Sequence, residues 1–124
     1  NCFSLYRIFF NGSHNYFYDQ ETCGLYYKFH KDLMRFWTND CGIEVYNLKH
    51  EELISNPEPE MKKLLDYCNL KWEDQCMSFH ENSRKVRTAS NLQVRRPINK
   101  DSVMAWKKYE NQLQTLKSSL SYND

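Results

Sequence analysis

The chain has 124 residues, enough for one domain with a modest hydrophobic core, and no apolar run approaches the roughly 18 residues of a membrane-spanning helix, so we expect no membrane segment. Its 17 Lys and Arg residues nearly balance its 16 Asp and Glu residues, which hides one basic segment in an otherwise acidic chain. Five cysteines, odd in number and without a Cys-x-x-Cys pair, argue against a disulfide framework and predict reduced, mostly buried thiols in a cytoplasmic protein.

The first predicted element is the apolar and aromatic segment 2–10, which is followed by the turn residues Asn11-Gly12-Ser13. Asn-Gly between two hydrophobic runs is typical of a β-hairpin. The chain opens inside this segment without a starting Met or a signal peptide, so we expect it to be a piece of a longer protein.

A long amphipathic helix is predicted over residues 20–38, with Asp19 as its N-cap. We expect the aromatic stripe from Tyr26 to Trp37 on this helix to lie in the core. Residues 43–48 are rich in β-branched side chains and apolar on both faces, which predicts one buried strand of a parallel sheet. Because a single strand is not stable, its partners must come from outside this chain or from a second copy.

Two shorter helices and a terminal helix are predicted in the second half of the chain. Asn56 and Pro57 are typical of the start of a helix, and another helix is expected over residues 73–80. Asp101 or Ser102 is expected to cap the terminal helix, whose apolar residues recur at intervals of three or four.

The basic segment lies between these helices, over residues 84–106. It is rich in Ser, Thr, Asn and Gln and has no acidic residue before Asp101. Forked arginine donors, hydroxyls and free backbone N–H groups suit a multiply charged anion. A solvated charged loop is the alternative reading of this composition. A third reading is that the segment binds single-stranded nucleic acid. The aromatic residues lie mostly on the apolar faces of helices, which argues against this reading. The basic residues are Arg84, Lys85, Arg87, Arg95, Arg96 and Lys100.

The same segment carries a family resemblance. Its motifs resemble, in their order, the C-terminal signature of sulfotransferases: TAS, QVR and P-I, followed by Ser102 and Trp106. It is most similar to the bacterial branch that is often fused to tetratricopeptide repeats and is related to the tyrosylprotein sulfotransferases. Further segments resemble that family in the same order, namely YYKFHKDLMRFW, HEELISNPE and LLDYCNLKWEDQCMSFHENSRKVRTAS.

The resemblance implies an α/β fold in which residues 1–124 are the C-terminal part of a single P-loop-like, three-layer sulfotransferase domain. By itself the chain is then expected to be mainly α-helical, with one principal strand at about 43–48. Segment 2–10 becomes a helix that Asn11-Gly12 ends, and we follow this interpretation rather than the hairpin. In the family, the loop for the 5′-phosphosulfate and the catalytic base lie in the N-terminal half, so we expect no catalytic residue in this chain.

The reaction that the resemblance implies is transfer of a sulfuryl group from 3′-phosphoadenosine 5′-phosphosulfate (PAPS) to an acceptor hydroxyl or amine. This chain would carry only the 3′-phosphate and adenosine side of the PAPS site, and we expect it to be inactive alone. Ser4 and Ser90 are expected to meet on one 3′-phosphate, and the dipole of the helix beginning near Ser102 would add favourable charge. The cofactor-binding residues implied are Ser4, His50, Ser90, Asn91, Gln93, Val94, Arg95, Arg96 and Pro97.

Two residues depart from the family pattern. His50 stands where a tyrosine near the adenine is usual, and Ala105 where relatives often carry a basic residue. These changes leave open a non-catalytic helical interaction module derived from the family. The expected partners are PAPS, an unidentified acceptor and, through self-association, a second copy of the chain. We expect neither nucleic acid nor a membrane as a partner. Cys76 and His80 have the spacing of a metal pair, but no second pair accompanies them, so we expect no metal.

Overall fold

The computed structural model describes residues 1–10, 12, 14–86 and 92–121. They form two compact units, one from Asn1–Glu44 with the described residues from Met104 onward, the other from Val45–Val103. Within this part of the chain every regular element is helical and no β-strand occurs. No helix among the described residues is both long and apolar enough to cross a membrane. The α-helices are α1 (Cys2–Tyr6), α2 (Gln20–Arg35), α3 (His50–Ser55), α4 (Pro57–Tyr67) and α5 (Gln114–Leu120).

Helix α2 is the longest element of the first unit, and its start was predicted correctly. The Asp19 carboxylate accepts a hydrogen bond from the backbone N–H of Thr22 at 2.9 Å, as an N-cap does. This backbone donor lowers the pKa of Asp19, because it stabilises the charged carboxylate. After Arg35 the helix widens into a π-helical turn over Phe36–Asp40, so helical structure runs slightly beyond the predicted end.

Helix α5 packs along α2 and closes the core of this unit. Gln20 joins the two: its side-chain amide donates to Gln112 O at 2.9 Å, and its Oε1 accepts from Leu116 N at 3.0 Å. A 3₁₀ helix over Ala105–Leu113 leads into α5, with non-helical backbone at Tyr109. The buried hydrophobic residues of the described chain are Cys2, Phe17, Cys23, Leu113 and Leu116.

The aromatic stripe of α2 is not in the core, and that prediction is wrong. Phe29 is 63% exposed, Leu25 52% and Phe36 48%. The face that packs in this unit is the opposite one, where Cys23 and Gly24 are buried. Helix α2 is therefore apolar on both sides, and helical spacing alone does not say which side finds a partner.

Residues 43–48 do not form the predicted strand, so the expected α/β class with one principal strand is wrong. The segment makes no ladder with any described residue. A strand requires a second backbone for its N–H and C=O groups, and the described chain offers none here. Tyr46 instead packs on Tyr67 of α4, with ring centroids 5.1 Å apart. Tyr46 is therefore partly buried by a helix rather than by a sheet.

In the second unit, α4 begins at Pro57 as predicted, although the Asn56 side chain makes no capping hydrogen bond. Helix α3, which precedes α4, was not predicted. The expected helix over residues 73–80 is instead two 3₁₀ turns, Asp74–Cys76 and Phe79–Glu81.

The predicted ends of the first and last helices also need correction. Helix α1 ends at Tyr6, four residues short of Phe10. Gly12 has a φ of +132°, which suits a turn, while Asn11 and Ser13 lie outside the described residues. Neither Asp101 nor Ser102 caps a helix, because the terminal helical stretch begins at Ala105 after Met104, whose φ is +56°.

The cysteines are unpaired thiols, but they are less buried than predicted. Cys2 and Cys23 are buried, Cys76 is half-buried, and Cys41 and Cys68 are exposed. Burial raises the pKa of the Cys23 thiol to about 11, with the neighbouring Cys2 adding to the effect. Cys23 is therefore an unreactive core thiol at neutral pH.

Candidate functional site

A cleft of about 630 Å³ lies within the unit Val45–Val103. It is lined by α3, by the 3₁₀ turn Phe79–Glu81 and by residues between 92 and 102. Five of the nine predicted cofactor-binding residues line it together: His50, Gln93, Val94, Arg96 and Pro97.

Helix α3 lines part of the cleft with three residues. His50, Leu53 and Ile54 stand at i, i+3 and i+4, so they share one face of the helix. The exposed ion pair between Lys49 and Glu52, at 2.9 Å, adds little stability to this short helix. The apolar side chains at 53 and 54 were not predicted as site residues, although their spacing after His50 was visible in the sequence.

Residues 92–102 contribute most of the remaining lining and form a series of tight turns. Arg96 N donates to Gln93 O at 3.1 Å, closing the 3₁₀ turn Gln93–Arg95. The Asn99 side chain then bridges Pro97 O, at 3.2 Å, and Asp101 N, at 3.1 Å. Such side-chain turns fix the backbone without a regular element, which is how this loop presents its side chains to the cleft.

The two adjacent arginines have different environments. Arg96 lines the cleft and is exposed. Arg95 is half-buried, and its Nη2 donates to the backbone oxygen of Arg84, so it holds two parts of the basic segment together. In the described part of the chain, Arg96 is thus the arginine that can meet an anion in the cleft.

The lining combines apolar walls with a few polar groups. Leu53, Ile54 and Phe79 form an apolar region, while Arg96 and Asp101 are the charged residues among the described lining. An apolar surface beside an arginine suits a ligand with a flat apolar part and an anionic group. Phe79 and Asp101 were missed as site residues, because only the folded chain brings them to His50.

The remaining predicted residues lie elsewhere or outside the described chain. Ser4 is exposed on α1 in the first unit, where it lines a separate cavity of about 310 Å³ with Tyr26 and His30. Ser90 and Asn91 fall outside the described residues. The predicted meeting of Ser4 and Ser90 on one phosphate therefore stays a prediction.

The described residues do not form a cluster of metal ligands. No group of three or more His, Cys, Asp and Glu side chains there could hold a metal ion. The His80 ring packs edge-on against Phe79, with centroids 5.6 Å apart, and its buried Nδ1 has no hydrogen-bond partner.

Comparison with known proteins shows to which family the chain belongs. Residues 1–74 match the model of the sulfotransferase family, which is more than half of the chain. The chain belongs to the sulfotransferase family. The match includes Ser4 and His50 and ends before the basic segment, so the narrower branch inferred from that segment stays a prediction.

A curated relative from Aquifex aeolicus (strain VF5), described as an uncharacterized protein, is 32% identical over 103 residues. The alignment covers 83% of this sulfotransferase chain but only 14% of the relative. The chain thus spans a small part of the length of that protein. No solved structure gives a significant match.

Proposed function

We propose that this chain supplies the 3′-phosphate and adenosine side of a PAPS site in a sulfotransferase that transfers a sulfuryl group to a hydroxyl or amine. One observation carries the proposal: His50 and four residues far from it in sequence line one cleft, namely Gln93, Val94, Arg96 and Pro97. The family resemblance assigns these residues to one ligand. We also propose a cytoplasmic location, which the unpaired cysteines support.

The chemistry of the cleft fits the adenosine part of PAPS. Phe79 and the aliphatic residues of α3 offer the apolar contact that a purine ring favours, and the His50 imidazole can stack on a base. Arg96 can neutralise part of the charge of the 3′-phosphate. Bound PAPS would supply the activated sulfuryl group; the described residues of the cleft bind and orient, and we assign no proton transfer to them.

One arginine does not neutralise a phosphate dianion. The proposal therefore includes Ser4, Ser90, Asn91 and backbone N–H groups of the basic segment as further donors, as the resemblance implies. The acceptor is not identified by the chemistry of this cleft, and the catalytic base is proposed to lie outside residues 1–124.

A second candidate function is a non-catalytic interaction module derived from this family. The observation in its favour is the exposed apolar face of α2, because soluble monomers seldom leave a contiguous stripe of large apolar side chains in water. An interaction module would keep this face and lose nucleotide binding.

The experiment that separates the two is equilibrium binding of adenosine 3′,5′-bisphosphate to the full-length gene product, with adenosine 5′-monophosphate and an oligonucleotide as competitors. We expect the bisphosphate to bind at least about tenfold more tightly than the monophosphate, because the 3′-phosphate gains charged hydrogen bonds. Equal affinity for both nucleotides, or no binding, would refute the PAPS proposal.

The matched pair of variants is Arg96→Ala and Lys71→Ala. Both remove one exposed cation from the same unit, but Arg96 lines the cleft and Lys71 does not. We expect the arginine variant alone to bind the bisphosphate more weakly, by about tenfold. An equal loss in both variants would indicate a general charge effect rather than a site at the cleft.

A further inference from the structure

Asp101 brings a negative charge into the cleft that is proposed to bind an anion. Asp101 lines the same cleft as Arg96 and His50. A carboxylate that faces a phosphate weakens binding through like-charge repulsion. A carboxylate group accepts hydrogen bonds, so its productive partner on a ligand is a hydroxyl or amino group.

The structure fixes the backbone at Asp101. The Asn99 Oδ1 accepts from Asp101 N at 3.1 Å, and Val103 N donates to Lys100 O at 3.0 Å. Asp101 therefore belongs to two short turns, five residues after Arg96 in the same loop. The lining of the cleft thus includes both a residue that donates to anions and a residue whose carboxylate accepts hydrogen bonds.

We propose that Asp101 is a specificity-determining residue whose carboxylate accepts a hydrogen bond from the ribose 2′-hydroxyl of the bound nucleotide. This inference rests on the proposed function. In a 3′-phosphorylated ribonucleotide the 2′-hydroxyl is on the carbon next to the one that carries the phosphate. A ligand whose 3′-phosphate meets Arg96 therefore carries that hydroxyl into the same cleft, which Asp101 also lines.

The consequence is selection for ribonucleotides. A 2′-deoxy ligand leaves the carboxylate without its donor, and a site built around a hydroxyl rejects the analogue that lacks it. The adenine amino group is the competing donor for Asp101, and it is present in both the ribo and the deoxy ligand.

The test compares adenosine 3′,5′-bisphosphate with its 2′-deoxy analogue on the full-length gene product, by calorimetry. We expect the deoxy ligand to bind about tenfold or more weakly to the wild type, the scale of a lost hydrogen bond to a charged group. In Asp101→Asn this ratio should fall, because the amide oxygen is an uncharged and weaker acceptor. Asp66→Asn, the same change on α4 away from the cleft lining, should keep the wild-type ratio.

Each other result overturns a defined part of the account. Equal affinity of the wild type for the two ligands refutes the role of Asp101 and leaves the proposed function standing. Tighter binding of both ligands by Asp101→Asn, with the ratio between them unchanged, shows that the carboxylate faces a phosphate, which also refutes that role. If neither ligand binds the wild type, the proposed function itself fails. The ligand comparison on the wild type does not depend on the variant folding.

Discussion

Gly24 of α2 lies directly against Ser119 of α5. A Cβ atom added to Gly24 would come within 1.9 Å of Ser119 Oγ and 2.7 Å of Ser119 Cβ. A glycine in the middle of a helix normally lowers its stability relative to alanine by about 1 kcal/mol. Here the absence of a side chain lets the two helices approach closely enough to bury Cys23 and Leu116.

The first prediction is that Gly24→Ala destabilises the chain despite the better helix propensity of alanine. Rotation of the Ser119 hydroxyl cannot relieve the overlap, because Ser119 Cβ and the Ser119 backbone carbon, at 3.3 Å, are also close. We expect a net loss of roughly 1–3 kcal/mol in the free energy of unfolding, measured by urea denaturation. Ser119→Gly combined with Gly24→Ala should recover part of the loss. Unchanged or increased stability of the single variant would show that the helices are not this close.

The exposed stripe of α2 predicts self-association of the 124-residue chain. Burying the side chains around Phe29, Leu25 and Phe36 in a second copy would remove apolar surface from water. We expect concentration-dependent association in sedimentation experiments, weakened by Phe29→Ser. The matched control is Phe9→Ser, which removes a phenylalanine that is 85% exposed but lies outside α2. A monomer at every accessible concentration would contradict this prediction.

The third prediction concerns the buried Cys23 thiol, which makes the free energy of unfolding depend on pH in the alkaline range. Its thiol pKa is raised from 9.0 to about 11, because burial disfavours the thiolate. In the unfolded chain the thiol ionises near its ordinary pKa, while in the folded chain it stays neutral. Above pH 9 the unfolded state is thus favoured by ionisation, so this contribution to stability is complete below pH 9 and is lost towards pH 11.

The measurement is the free energy of unfolding of the wild type and of Cys23→Ala between pH 8 and pH 11. Tyrosines and lysines also titrate in this range, so the difference between the two proteins is the informative quantity. We expect the wild type to lose more stability with rising pH than the variant does. Cys41→Ala, at an exposed thiol, should follow the wild type. Parallel curves for all three proteins would mean that Cys23 is accessible to water.

The sequence was informative where structure depends on neighbouring residues. The Asp19 cap needs only the backbone three residues on, and Pro57 at a helix start needs only its own ring geometry. Both are therefore visible in one stretch of sequence. The segment 43–48 was misread because strand formation depends on a distant backbone partner, which the described chain does not supply.

In the candidate site, too, some residues were identified from the sequence and others only from the folded chain. The resemblance assigned His50 and the residues 93–97 to the nucleotide site. Of these six residues, all but Arg95 line one cleft in the structure. Phe79 and Asp101 join that cleft through tertiary contacts, so no local pattern pointed to them. The α2 stripe was assigned to the core because periodicity identifies an apolar face without identifying what covers it.

The central claim is that adenosine 3′,5′-bisphosphate binds in the cleft between α3 and the turns at 92–102. Photo-crosslinking of the full-length gene product with the 8-azidoadenosine analogue, followed by peptide mapping, tests it most directly. The account predicts labelled peptides that contain residues 50–54, Phe79 or residues 92–102, and loss of label when unmodified adenosine 3′,5′-bisphosphate is added. Label confined to other parts of the protein, or label that the unmodified nucleotide does not displace, would contradict it.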